Sequence, residues 1–330
     1  MKFAILSCCC RRRLEGGRQH ELGESVVSGK IIRVWGLATL LLGSAAGALG
    51  QELTPRAYWP APVGTQLLTL GTSYTDGDTV PDPSLPIVGL DSSISTVTVG
   101  YTRAFALAGR TATVSFQQSY ADGNTQAVHE ILGKLERDYQ GRGDFSAGFS
   151  INLLGAPAMT REAFAELRRN PRPILGASLK VVAPTGEYNK NRLINVGANR
   201  WAAKAELGYI QPLGGNWLLE LDLGVWGFAD NDDFVGFTRE QDPIYSTQVH
   251  LIKRFAPGFW GSLNVNGYRG GRSTVDGREL DDLQRDSKAG ITLVFPFAGK
   301  NAIKASYAFG SVNDSDESFD LYQLSYQRVF

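Results

Sequence analysis

Apolar and polar residues alternate along most of the chain beyond residue 64. In the stretch WLLELDLGVW, Leu219, Leu221 and Leu223 fall on one face of an extended strand, while Glu220 and Asp222 fall on the other. A period of two is typical of β-strands with one apolar face. Similar stretches, separated by breaks rich in Gly, Pro, Asn or Asp, predict about twelve strands. They cover residues 65–77, 92–105, 110–122, 142–154, 172–185, 198–211, 216–229, 243–255, 259–270, 285–297, 301–312 and 318–330.

The connections between these strands alternate in length. Short turns lie at residues 106–109, 213–215, 256–258 and 298–300. Longer polar loops cover residues 78–91, 123–141, 186–197, 230–242 and 271–284. Tight periplasmic turns and longer outer loops are the pattern of outer-membrane barrels. The sequence therefore predicts an all-β fold, an antiparallel transmembrane β-barrel of about 12 strands.

The direction of the apolar face separates a membrane barrel from a soluble one. Aromatic residues stand near several strand ends, namely Trp201, Tyr209, Trp217, Tyr245, Phe255 and Trp260. Aromatic residues concentrate at the two membrane–water interfaces of such barrels. They favour an apolar face turned toward lipid and a location in the bacterial outer membrane. A secreted soluble β-protein is the alternative.

One connection departs from the short-turn rule. Residues 155–173 offer Thr160 as a helix cap, Phe164 and Leu167 on one side of a short run, and Asn170-Pro171 as a stop. Strand parity places this connection on the periplasmic side. We therefore predict one short periplasmic helical connection that covers the lower rim of the barrel.

The last predicted strand ends the chain on an aromatic residue. It must pair with the first strand, because an open edge in lipid leaves backbone groups unsatisfied. Its ending also resembles the terminal signature of outer-membrane barrels. We interpret one face of this strand as a signal read by the barrel assembly machinery, formed by Tyr322, Leu324, Tyr326 and Phe330.

Residues 1–50 are predicted to be a leader that contains a secretory signal peptide. Within residues 30–50, Lys30 and Arg33 precede an apolar run, and Ala48-Leu49-Gly50 fits cleavage after Gly50. A single membrane anchor is the alternative, which the shortness of the apolar run disfavours. Residues 51–64 are predicted to be a proline-rich periplasmic segment leading into the barrel, and residues 65–330 to be the outer-membrane barrel.

The first 29 residues make this leader longer than is usual. We hypothesise that the natural start lies downstream, at Val26 or Val27. A cleavage-deficient precursor that still contains Cys8 would contradict this hypothesis. All three cysteines lie at positions 8–10, so the mature chain is expected to have no disulfide and no thiolate site.

Composition narrows the remaining chemistry. Lys plus Arg and Asp plus Glu number 33 each, so the chain has no net charge that would attract nucleic acid. Beyond the leader, His129 and His250 lack partners at metal-ligand spacing, and no cofactor motif is present. The acidic run DNDDF at 230–234 fails the template of a calcium loop and is interpreted as a solvated outer loop. We expect no cofactor, no metal and no catalysis.

Polar residues on the face opposite the apolar one would point into the lumen. By parity they are Lys180, Lys204, Glu206, Glu220, Asp222, Gln248, His250, Arg254 and Lys288. A three-residue turn at 213–215 would place Glu206 opposite Asp222, with Lys204 nearby. Two interpretations stay open: a solute path with fixed charges, or an ion network that braces the interior. We favour bracing, because buried charges are paired and a barrel of this size need not hold a wide channel.

Five strings, in order along the chain, resemble the meta-pathway phenol-degradation family of outer-membrane transporters. They are APTGEY (183–188), NVGANRW (195–201), DNDDF (230–234), QDPIYSTQVHL (241–251) and GYRGGRSTVDG (267–277). The resemblance implies a β-barrel transporter associated with the uptake of aromatic or other hydrophobic compounds.

The predicted function is a passive outer-membrane channel for small, hydrophobic or aromatic solutes, with outer-membrane lipid and the assembly machinery as its other partners. The nine luminal residues would line or gate the path. A non-conducting structural barrel is one alternative. An outer-membrane lipid hydrolase is another, but it would need a Ser, His and Asn/Asp set near the lipid-facing surface, and His250 has inward parity.

Overall fold

The computed structural model describes residues 54–79, 88–129, 133–192, 194–280, 282–311 and 318–330. The predicted signal peptide and the first residues of the proline-rich segment lie outside the described residues. The strands are β1 Gln66–Thr79, β2 Val88–Leu107, β3 Arg110–His129, β4 Gly133–Arg142, β5 Phe145–Leu154, β6 Ile174–Ala183, β7 Ala202–Gly214, β8 Trp217–Phe228, β9 Asn231–Phe234, β10 Phe237–Gln241, β11 Ile244–Ala256, β12 Phe259–Gly270, β13 Ser273–Val275, β14 Arg278–Glu279, β15 Ser287–Phe297, β16 Asn301–Ser311 and β17 Ser318–Val329.

Twelve of these strands, within the described parts of the chain, form one closed antiparallel barrel. Its order is β1, β2, β3, β5, β6, β7, β8, β11, β12, β15, β16 and β17, and β17 pairs with β1 to complete the ring. Tyr322 of the last strand lies opposite Tyr74 of the first. The predicted fold class is confirmed, and closure leaves the ring without an edge.

Alternation along the strands sorts side chains between lipid and lumen. In β8, Leu221 and Leu223 face outward and Leu223 is 53% exposed, while Glu220 and Asp222 are fully buried. A band of exposed apolar residues encircles the barrel and includes Val97, Phe116, Leu207, Leu263, Ile291 and Leu324. An outward apolar band is what a lipid-spanning barrel requires. Six aromatic residues are predicted to lie at the membrane–water interfaces. The prediction is wrong for Trp260, because its even position in β12 turns it inward, where it is buried.

The turn between β7 and β8 differs from the predicted register. Glu206 lies opposite Gly224, and Asp222 lies opposite Gly208. The cause is an irregularity between Pro212 and Gly214, which lets β7 run two residues further before the turn. The pairing moves by two positions, so the inward parity of the polar residues is kept.

The outer loops carry more structure than the sequence indicates. The predicted loop at 123–141 is largely strand, because β3 continues to His129 and pairs there with β4. The predicted strand at 142–154 corresponds to β5, which pairs with the inner part of β3. Strands β9, β10, β13 and β14 form a separate small sheet above the barrel, here named the outer cap. The acidic run at 230–234 is therefore not a solvated loop throughout: it forms β9, in which Asn231 is buried.

The predicted helical connection is present as α1, Arg161–Arg169. Thr160 caps this helix by accepting a hydrogen bond from the Ala163 backbone N–H. Leu167 is the buried residue of the helix. Among the described residues, no helix is long and apolar enough to cross a membrane.

The described part of the proline-rich segment, residues 54–64, enters the end of the barrel and forms no strand. We call this part the strap. Tyr58 of the strap packs in one apolar cluster with Leu167 of α1 and with inward side chains of the barrel. The cluster comprises Tyr58, Ala156, Met159, Leu167, Ile174, Ile210, Leu218, Ile252, Trp260 and Val294. The strap and α1 thus cover much of the periplasmic end.

Candidate functional site

A buried polar network fills one side of the lumen, on β7, β8, β11, β12 and β15. Seven of the nine predicted luminal residues belong to this buried set: Lys204, Glu206, Glu220, Asp222, Gln248, His250 and Lys288. They come together because even positions of neighbouring strands share the inward face. The structure locates these side chains, while their part in a solute path stays a prediction.

Glu206 stands at the centre of the contacts between these side chains. Its carboxylate lies 2.6 Å from Lys204 Nζ and accepts a hydrogen bond from Gln248 Nε2 at 3.2 Å. A cation and an amide donor are the kinds of partner that a buried carboxylate requires. Glu206 is therefore held by one cation and one amide from the barrel wall.

His250 links this network to a second row of polar side chains. Its Nε2 lies 3.5 Å from Asp222 Oδ2, and its Nδ1 lies 2.9 Å from Asn264 Oδ1. An amide oxygen only accepts, so Nδ1 carries a proton. Asn264 in turn donates to Thr292 Oγ1 at 3.1 Å, and Thr292 pairs with Ser306 at 3.0 Å. Asn264, Thr292 and Ser306 are not among the predicted luminal residues, although their even positions in β12, β15 and β16 give them the same inward parity.

The strap is hydrogen-bonded to two carboxylates of the network. Tyr58 Oη donates to Glu206 Oε1 at 3.0 Å and lies 2.9 Å from Ser178 Oγ. The backbone N–H groups of Arg56 and Tyr58 donate to the carboxylate of Glu220, the second at 3.4 Å. Glu206 and Glu220 therefore both hold the strap by hydrogen bonds, which favours a bracing role for these two residues.

The other two predicted luminal residues are less deeply buried. Lys180 is half-buried, and its Nζ lies 5.6 Å from the centre of the Trp226 ring. Arg254 lies at the periplasmic end, where its guanidinium donates to the Arg168 carbonyl at 2.8 Å and to Asn216 Oδ1 at 3.4 Å. The network and Arg254 are therefore separate features.

A cavity of about 590 Å³ occupies the other side of the lumen. Short side chains line it on β1, β2, β3, β5 and β17, including Thr69, Thr98, Ser115, Ser150 and Ser325. Neighbouring hydroxyls satisfy each other, as Thr113 Oγ1 and Ser150 Oγ do at 2.7 Å. Tyr58, Lys180, Lys204 and Glu206 border the cavity toward the network. The signal was present in the sequence, because the inward positions of these strands are mostly Ser, Thr and Gly.

Two deeply buried arginines lie at the outer cap, Arg239 in β10 and Arg200 in the loop before β7. Arg200, 2% exposed, donates to Gln241 Oε1, and Arg239, 4% exposed, donates to Ser273 Oγ at 2.8 Å. The Arg200 guanidinium also lies 4.5 Å from the Phe228 ring. Burial and the nearby charge of Arg239 lower the pKa of Arg200 to about 9. These contacts tie the loops around β7, β10 and β13 together.

Within the described ranges, no three His, Cys, Asp or Glu side chains group as metal ligands do. His250 and Asp222 lie beside Gln248 and Asn264 rather than beside further ligands.

Comparison with known proteins agrees with this architecture. A family profile described as "Putative MetA-pathway of phenol degradation" matches residues 72–327. The crystal structure of the COG4313 outer membrane channel from Pseudomonas putida F1 has a TM-score of 0.68 at 23% identity, and the match covers 84% of this chain and 100% of that one. It shows the same fold. Comparison with curated sequences found no match.

Two further solved structures are more distant. The translocator domain of the autotransporter NalP from Neisseria meningitidis has a TM-score of 0.42 at 11% identity, covering 90% of this chain and 94% of that one. The CymD monoaromatic hydrocarbon channel has a TM-score of 0.43 at 7% identity, covering 82% and 89%. Neither likeness carries an argument about function.

Proposed function

Since the chain belongs to the family described as a putative MetA-pathway of phenol degradation, we propose that it is a passive outer-membrane channel for small hydrophobic or aromatic solutes. It would act without catalysis. The observation that carries the proposal is the cavity of about 590 Å³ inside a closed, lipid-facing barrel. Small-molecule pockets span roughly 300–1,000 Å³, so one aromatic compound fits.

The chemistry of the cavity wall supports a neutral solute. Hydroxyl groups such as those of Thr98 and Ser115 can exchange hydrogen bonds with a phenolic group. They do so without the desolvation cost that a fixed charge would impose on an apolar ring. Backbone at Gly71 and Gly100 adds flat wall where a ring can lie close.

The charged half of the lumen then has a supporting role. Glu206 and Glu220 hold the strap, and Lys204 balances Glu206, so the network would fix one wall of the path. Lys180, Lys204 and Glu206 also border the cavity and would set which polar groups a solute can carry. We propose that the remaining network residues act through bracing.

Planar-bilayer recordings of the refolded full chain test this proposal. Thr98→Phe would fill the inward side of β2, and Val97→Phe on the lipid face of the same strand is the matched control. We expect steady conductance that phenol reduces, with Thr98→Phe lowering both the conductance and the block. Equal conductance in the two variants would contradict a path through this cavity.

A non-conducting structural barrel is the second candidate. The strap and α1 favour it, because they cover the periplasmic end with an apolar cluster. Properly folded protein that stays electrically silent, even after removal of residues 51–64, would support this alternative. The geometry does not favour a lipid hydrolase, because His250 is fully buried in the lumen beside Asp222 and Asn264 and therefore does not face lipid.

A further inference from the structure

Four arginines surround a second cavity, of about 280 Å³, at the periplasmic rim. Arg56 comes from the strap, Arg168 and Arg169 from the last turn of α1, and Arg254 from β11. The periplasmic turn at residues 255–258 and Asn216 complete the wall. Three separate elements therefore bring cationic side chains to one small space.

These arginines are mostly not neutralised by the protein. Arg169 pairs with Glu166 at 2.8 Å, which is the one ion pair that the four make within the described residues. Among the described residues, Arg254 donates only to the neutral oxygens of Arg168 and Asn216. The Nε atoms of Arg56 and Arg254 are buried and have no hydrogen-bond partner in the described part of the chain.

Arg56 lies close to two of the other arginines as well as to Glu220. Burial lowers the pKa of its guanidinium to about 10, and the charges of Arg254 and Arg168 act in the same direction, against the carboxylate of Glu220. Gathering like charges in a partly buried space is costly unless an anion joins them. The cavity is therefore complementary to a negatively charged group.

The surroundings indicate what kind of molecule carries that group. The Arg56 guanidinium lies 5.0 Å from the Trp260 ring, and Phe255, on the cavity wall, is 54% exposed on the outside of the barrel. The ring centres of Phe255 and Phe259 lie 4.8 Å apart, and those of Phe259 and Phe295 lie 5.4 Å apart. The cationic cavity thus continues into an apolar, lipid-facing aromatic surface at the membrane–water interface.

We infer that this cavity binds the phosphate of a glycerophospholipid from the leaflet that faces the periplasm. Guanidinium groups match phosphate geometry through paired N–H donors. The acyl chains would follow the exposed face of Phe255 and its aromatic neighbours. The site anchors the strap and α1 to the membrane surface, since Arg56 and Arg168 both contribute to it. The inference does not depend on whether the barrel conducts.

Native mass spectrometry of the full chain in detergent tests the inference with phosphatidylglycerol as the probe. The variant combines Arg168→Gln with Arg254→Gln. The matched control combines Arg161→Gln with Arg172→Gln, two exposed arginines outside the cavity lining. Each substitution removes a charge-assisted contact to the phosphate, so we expect binding to weaken by roughly a hundredfold or more in the double variant and to stay unchanged in the control.

Competition experiments distinguish the lipid from other ligands. Diacylglycerol, which lacks phosphate, should not compete with phosphatidylglycerol. Soluble glycerophosphate that binds as tightly as the lipid would overturn the lipid assignment in favour of a free-anion site. Because a substitution at Arg254 can disturb folding, Arg168→Gln alone, on the exposed helix surface, must also weaken binding. Unchanged lipid binding in both variants would overturn the inference.

Discussion

Tyr58 offers the sharpest test of how the strap closes the barrel. Its hydroxyl contacts Glu206 and Ser178, and its ring is 3% exposed. Tyr58→Phe removes only the hydroxyl and leaves the ring in place. The strap should then release more often, because one latch to the barrel wall is lost while the apolar packing remains.

The size of the effect follows from the two hydrogen bonds. A bond to a charged group contributes about 1.5–3 kcal/mol and one between neutral groups about 0.5–1.5 kcal/mol. Glu206 keeps Lys204 and Gln248 as partners, so the lower values apply and the loss is about 2 kcal/mol. At 1.4 kcal/mol per factor of ten, the open state of the strap becomes roughly thirtyfold more populated.

Hydrogen exchange of the strap measures this population. The backbone N–H groups of Arg56 and Tyr58 donate to Glu220 when the strap is docked, so they exchange only after release. We expect about thirtyfold faster exchange in the 54–64 peptide of Tyr58→Phe. Tyr74→Phe is the control, because that hydroxyl donates to Asp76 at an exposed site.

Two results would refute the reasoning. Equal strap exchange in Tyr58→Phe and the original protein would mean that the hydroxyl is no latch. Faster exchange without any rise in bilayer conductance would mean that the strap does not stand in the solute path.

The other predictions concern the strap, the cap and the helix. Gly208→Ala should release the strap, because a Cβ there would lie 2.0 Å from the Tyr58 ring. Gly227→Ala is the control, because a Cβ there would have no atom within 4 Å. Hydrogen exchange of residues 54–64 compares the two variants. Asn231→Ala should expose the outer cap to protease while the barrel's melting temperature stays unchanged, because Asn231 joins Tyr188, Ala198 and Asn199. A resistant cap would contradict this. Hydrogen bonds from Asn170 and Arg169 lower the pKa of Glu166 below its usual 4.5. The stability that they give to the helix is present above pH 4.5 and lost as the pH falls through the lowered pKa, so helix proteolysis should increase there in the original protein but not in Glu166→Gln.

The barrel itself could be predicted because its physics is local and repetitive. A period of two assigns Leu221 to lipid and Glu220 to the lumen without any knowledge of neighbouring strands. Ring closure then follows, since β1 and β17 cannot leave backbone groups open to lipid. The cap Thr160 and the stop at Asn170 are likewise local signals, and α1 begins and ends beside them.

The strap and the register could not be predicted in the same way. Nothing near Tyr58 in sequence indicates that it will contact Glu206, because the two residues are 148 positions apart. The irregularity beside Leu213 depends on how the ends of β7 and β8 pair, which parity does not determine. Arg254 has inward parity like Gln248, yet its position near the end of β11 places it on the rim.

The location of the cavity follows from closure combined with side-chain size. Inward positions are small at the two ends of the barrel sequence, as Thr69 and Ser325 are, and long and charged on the middle strands, as Lys204 and Glu220 are. Along the chain these small residues lie far apart. Pairing of β1 with β17 joins them into one wall, opposite the braced network. The same backbone ring that seals the protein against lipid therefore also creates the cavity that we propose as the solute path.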